Sequence, residues 1–320
     1  MATPRGYSAS IQRFAEEPLS SMRAFAWFLG LFLVAFAVVA VFAYPAWLLL
    51  HPHFDFPFHR IGERIGMVGL LVGFLLVSRR LGLADRASLG YGAPRRKFLR
   101  EWGLGLVLGA VTMLGVVGIM AALGLLEWRS DAVFGVAPLA KLVGARLLSG
   151  LAVALIEETF IRGAMFTAIQ RESGTRTAVI LTSVLYSASH FFGKVRIPAD
   201  QVTAWGGVDL LAGTLHAFSD PVGIADAFLC LAAVGAVLAI IRATTGNIAA
   251  GLGLHAGWVW VMLVAHELTT PVNASPLRFL LSQFDGFVGW LVLAWTVLMG
   301  VGLWWFYAGR THVSNSTAPT

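Results

Sequence analysis

Charge is what this sequence lacks most. Only 12% of its 320 residues are Asp, Glu, Lys or Arg, about half the usual share of a soluble domain. Too little charge is present to clothe a water-facing surface, which excludes an ordinary soluble fold. Cysteine is nearly absent. The single thiol, Cys230, lies within an apolar run, so an internal disulfide and a multi-cysteine metal site are both excluded. It reads as a small buried side chain. Short alternating segments, the mark of a membrane barrel, are missing too, because the apolar stretches run on without interruption. A cleavable leader is not expected. Arg5, Arg13, Glu16, Glu17 and Arg23 precede an apolar run that is too long for a leader and has no clear cleavage site.

What is present is a series of apolar runs: 24–50, 61–77, 103–126, 143–169, 178–192, 225–241, 248–266 and 287–307. A spanning helix needs roughly 20 mostly apolar residues. In lipid the backbone satisfies its own polar groups most simply as a helix. The pattern therefore predicts an all-α integral membrane protein of about eight transmembrane helices, with no internal repeat and no separate soluble domain. The expected organisation is an N-terminal segment 1–23, a membrane domain 24–310 and a disordered polar tail 311–320.

The net charge is +6. The basic residues are spread over short loops, which fits orientation in an anionic membrane and not nucleic-acid binding. With eight spans, one side carries fourteen of them, including Arg79, Arg80, Arg86, Arg95, Arg96, Lys97 and Arg100. The other side carries eight, among them Arg60, Arg64, Arg129, Lys194 and Arg278. The asymmetry predicts a plasma or inner membrane protein with both termini in the cytoplasm.

Ionisable groups inside membrane helices are costly and usually functional. The fourth run contains Glu157 and Glu158, with Arg162 four residues beyond the second. On an α-helix Glu158 and Arg162 share a face and can pair. Glu157 is rotated by about 100° and should meet a different neighbour. The two carboxylates thus have separable tasks, one structural and one as a general base. Tyr186 and His190 share a face near the end of the fifth run, and His255 lies within the seventh. Together they make a carboxylate base, an orienting imidazole and a second imidazole for a developing oxyanion, the parts needed to hydrolyse an amide.

The succession Glu157-Glu158-x-x-x-Arg162, Tyr186-x-x-x-His190 and His255, with Gly163 and Phe166 after the arginine, resembles the CPBP family of intramembrane proteases. That family contains the CAAX prenyl endopeptidases and the bacterial Abi homologues. The resemblance covers about 147–263. It implies an eight-helix bundle with a membrane-embedded cavity and a glutamic-type endopeptidase acting on a membrane-associated protein or peptide. By the resemblance, Glu157 activates water, His190 positions it, Arg162 pairs with Glu158, and His255 helps stabilise the oxyanion. One position departs from the pattern. The family's Asn or Asp four residues after the last His is Val259 here, with the indoles of Trp258 and Trp260 beside it. That departure keeps a second reading open, a non-catalytic binding or regulatory protein of the same fold. A transporter using Glu157 and the histidines as a proton relay would need repeats that the sequence does not show. No cofactor is expected. A zinc site of His190, His255 and Glu157 is conceivable, without the HExxH spacing. His51, His53 and His59 read as loop histidines.

Overall fold

The computed structural model describes residues 22–54, 56–132, 134–192 and 195–316. Arg5, Arg13, most of the expected N-terminal segment, Lys194 and the last four residues lie outside the described residues. Each of the eight apolar runs forms a helix. These are α1 (Arg23–Leu50), α2 (Phe58–Ser78), α3 (Arg95–Ala122), α4 (Val136–Glu157), α5 (Phe166–Ser189), α7 (Ala225–Thr245), α8 (Ala249–Leu268) and α9 (Trp290–Ser316). A π-helical segment, Glu158–Met165, joins α4 to α5. The chain is a multi-pass membrane protein.

From Val136 to Ser189 the helical trace is continuous for 54 residues. At 1.5 Å per residue a straight helix of that length would be about 80 Å long, far more than the ~30 Å hydrocarbon core. Gly174 resolves the mismatch. Its φ of 82° and ψ of 169° are non-helical and accessible without strain only to glycine. The trace reverses there into two spans, between the fourth and fifth apolar runs.

The surface confirms the solvent. Leu33 and Phe42 on α1, Leu75 and Leu76 on α2, Val107 and Leu114 on α3 and Leu298 on α9 are exposed, an arrangement that suits lipid and not water. The interior holds the reverse: Glu158, Arg162, Arg242 and His255 are buried.

Some boundaries differ from expectation. α3 begins at Arg95, directly after Pro94, because the helix continues out of the apolar zone through the basic residues as far as the helix-starting proline. α9 stays helical through Ser316, since no Pro or Gly lies between Arg310 and Pro319 to stop it. Two elements were not anticipated. A short helix, α6 (Gly206–Ala217), reaches only about 18 Å and does not span. Gly207 sets it against α1 at mid-length, where an added Cβ would meet the Val39 carbonyl at 2.6 Å. A ribbon of β1 (Leu126–Trp128) and β2 (Thr269–Pro271) pairs antiparallel with Leu126 opposite Pro271.

α8 is the centre of the bundle, between α3 and α4. Its contact with α3 is made backbone to backbone through Gly105 and Gly109 on one helix and Gly253 and Gly257 on the other. A Cβ on Gly253 would meet the Trp102 carbonyl at 2.0 Å, and one on Gly109 the Leu254 carbonyl at 2.2 Å. Small residues four apart permit this approach, and van der Waals contact drives it where lipid supplies no hydrophobic effect. Gly253→Val is expected to abolish stable folding, whereas Gly30→Ala, with nothing within 4 Å, should be neutral or stabilising by up to about 1 kcal/mol. Thermal unfolding of the two purified variants in detergent checks this.

Candidate active site

The site forms where the π segment faces α8 and α5. Glu158 and Arg162 are fully buried, with Arg162 Nη1 donating to Glu158 Oε1 at 2.9 Å. The same carboxylate oxygen lies 3.0 Å from Nδ1 of buried His255. A carboxylate only accepts, so Nδ1 carries the proton and Nε2 is left for other work. Nε2 is 3.5 Å from the Tyr186 hydroxyl and 3.9 Å from Glu157 Oε2. The Arg162 guanidinium also stacks 4.3 Å from the centre of the Tyr186 ring. One ion cluster thereby ties the π segment, α8 and α5 together.

Glu157 does not point at a different neighbour, as α-helical rotation predicts; both glutamates converge on His255. The cause is local. A π-helix inserts one extra residue per turn, so successive side chains are rotated less and two adjacent carboxylates reach one imidazole. Glu157 Oε2 is buried without a hydrogen-bond partner among the described residues, although the side chain as a whole is about one-third exposed.

Two contacts hold the π segment in place. Buried Arg242 on α7 donates from Nε to the Arg162 carbonyl at 3.1 Å and from Nη2 to Thr167 Oγ1 at 3.1 Å, occupying a carbonyl within the irregular stretch. From the other side the α2–α3 loop docks on Gly163, where a Cβ would meet the Leu89 carbonyl at 2.6 Å. Tyr91 of that loop hydrogen-bonds Thr159 at 2.5 Å, and burial pushes its phenol above the usual range. Hydrogen bonds from Ser88 hold the Asp85 carboxyl below its usual range and brace the loop.

His190 follows the last residue of α5. Its Nδ1 donates to the Tyr186 carbonyl at 2.8 Å, which fixes the neutral tautomer with Nε2 as an acceptor. Its ring lies 4.4 Å from that of Tyr186. Tyr186, His190 and His255 together line a cavity of about 320 Å³. The other walls are chiefly apolar, from α3, α7, α8 and α9, and include Val259.

Residues 139–261 match the family model described as type II CAAX prenyl endopeptidase Rce1-like. This stretch is similar to that family. The matched stretch holds every candidate catalytic residue and falls where the sequence resemblance lay, at 147–263, although it covers less than half of the chain. The searches of curated proteins and of solved structures returned no match. The family is one of intramembrane endopeptidases acting on peptide or protein substrates.

Within the matched stretch the indoles beside Val259 are engaged elsewhere. Trp258 donates to Thr112 Oγ1 at 3.0 Å and Trp260 to the Val143 carbonyl at 3.0 Å. Neither replaces the missing polar side chain. Among the described residues no three of His, Cys, Asp and Glu converge to hold a metal ion. Two cavity groups escaped sequence reasoning, Asp285 and Trp295. Neither belongs to a motif; the only signal for Asp285 is a carboxylate two residues before the last apolar run.

Breaking the buried pair strands a charge, at a cost of about 3–5 kcal/mol. Arg162→Met is accordingly expected to lower the midpoint of thermal unfolding strongly. The Glu158→Gln/Arg162→Met pair should recover part of that loss in the same measurement.

Proposed function

We propose that this protein is an intramembrane glutamic-type endopeptidase that cleaves a membrane-associated protein or peptide. The observation that carries the reading is Glu157 Oε2, a buried carboxylate oxygen with no hydrogen-bond partner among the described residues, 3.9 Å from an imidazole nitrogen. An unsatisfied buried acceptor at membrane depth is expected where the group has chemical work to do. Its neighbour Glu158 also has an Oε2 without a partner among the described residues, but its Oε1 is committed to Arg162 and His255, and in this reading it serves structure.

In this reading Glu157 takes a proton from the attacking water while the water oxygen bonds to the scissile carbonyl carbon. His190, whose free Nε2 accepts, orients that water. The carbonyl electrons move to oxygen, where His255, in this reading carrying a proton on each ring nitrogen, donates from Nε2 to the oxyanion with the Tyr186 hydroxyl alongside. Collapse breaks the C–N bond, and Glu157 returns its proton to the departing amine. The products are a new carboxylate and a new amine. The positive-side asymmetry of the loops supports both termini in the cytoplasm.

Val259 favours a second reading. It lines the cavity where the family pattern has a polar side chain, and a binding protein that has lost turnover would look like this.

Glu157→Gln keeps the shape and removes the base. New peptide termini in membranes expressing the wild type should vanish in the variant at matched expression, a loss of about 10²–10⁴ in rate. Identical termini in the two membranes would leave the binding reading. Val259→Asn restores a donor and is expected to raise turnover by about 10²-fold, read on the peptides that the first experiment identifies.

A further inference from the structure

Tyr186, His190 and His255 share their cavity with a carboxylate. It is that of Asp285, in the loop that leads into α9. Its Oδ1 accepts the backbone N–H groups of Phe287 and Val288, both at 2.9 Å, which secures the carboxylate and sets its direction. Among the described residues no Lys or Arg pairs with it. Aromatic rings of Phe284, Phe287 and Trp295 line the same cavity. A carboxylate framed by aromatic faces recognises a cation.

Phe191, next to His190, packs its ring 4.5 Å from that of Phe284, next to Asp285. Other lining residues, among them Met113, Val259, Met262 and Val292, are apolar.

We propose that Asp285 is a specificity-determining residue that binds a Lys or Arg side chain of an apolar peptide substrate. The proposal rests on the endopeptidase reading for the peptide's being a substrate, but not for the binding itself.

The test uses fluorescent apolar peptides carrying one Lys, and matched peptides with Gln or acetyl-lysine at that position. Binding is measured to the full-length Glu157→Gln variant in nanodiscs of zwitterionic lipid, which do not gather cations themselves. The Lys peptide should bind about ten-fold more tightly than either neutral peptide. In Glu157→Gln/Asp285→Asn the preference should fall to within about two-fold, since Asn keeps an oxygen for the two backbone N–H groups but has no charge. Equal binding of the three peptides, or a Lys preference that survives Asp285→Asn, overturns the proposal. The acetyl-lysine comparison needs no substitution at Asp285, so it decides the matter even where that variant is poorly folded. Wild-type protein is then given the same peptides. Lys-dependent binding without any cut would sink the endopeptidase reading and leave this one standing. Cutting without regard to Lys would do the opposite.

Discussion

The site depends on one buried anion. Glu158 is fully enclosed, and a carboxylate in that position is tolerable only if its charge is matched. Arg162 matches it from the same segment and His255 from α8. Arg162 in turn lies on the face of Tyr186 of α5. Each partner is held by the need to satisfy the others, so three helices take up a single arrangement. Glu157 inherits its position from this framework without contributing to it, which leaves its carboxylate free of structural duty.

The π segment is what lets adjacent glutamates share a neighbour. A π turn sacrifices regular hydrogen bonding for one more residue, and it persists only where its surroundings secure it. Here that support comes from Arg242 on one side and the Leu89–Tyr91 loop on the other. Neither touches the cavity. The geometry of the candidate site is thus set partly by residues about 80 positions away in sequence.

The eight helices were legible because lipid imposes a length and a composition that soluble folds do not require. The residues of the candidate site were legible because polar groups at membrane depth stand out against an apolar background. Their mutual geometry was not. The i, i+4 rule placed Arg162 beside Glu158, but α-helical rotation separated Glu157 from His255, and nothing in Glu-Thr-Phe-Ile-Arg announces a π turn. The Gly105/Gly109 and Gly253/Gly257 pairs can be seen in the sequence, yet their partnership is a tertiary fact. α6 was missed because a twelve-residue apolar stretch can lie in many places, and Asp285 because one carboxylate at a helix start looks like a cap, which in part it is.

The β1–β2 ribbon bears on which helices can move against one another. α3 and α8 run in the same direction and touch through glycine backbone near their starts. Just past their ends the ribbon joins them again, extended by bonds from Val272 to Leu125 and from Arg129 to Leu268. Two rods fastened at both ends cannot swing apart, so this pair moves as one body. α9 meets α3 differently, by the indole of Trp295, which lies 3.2 Å from where a Gly115 Cβ would be. A contact made by a side chain can be undone by a change of rotamer, whereas one made by backbone cannot.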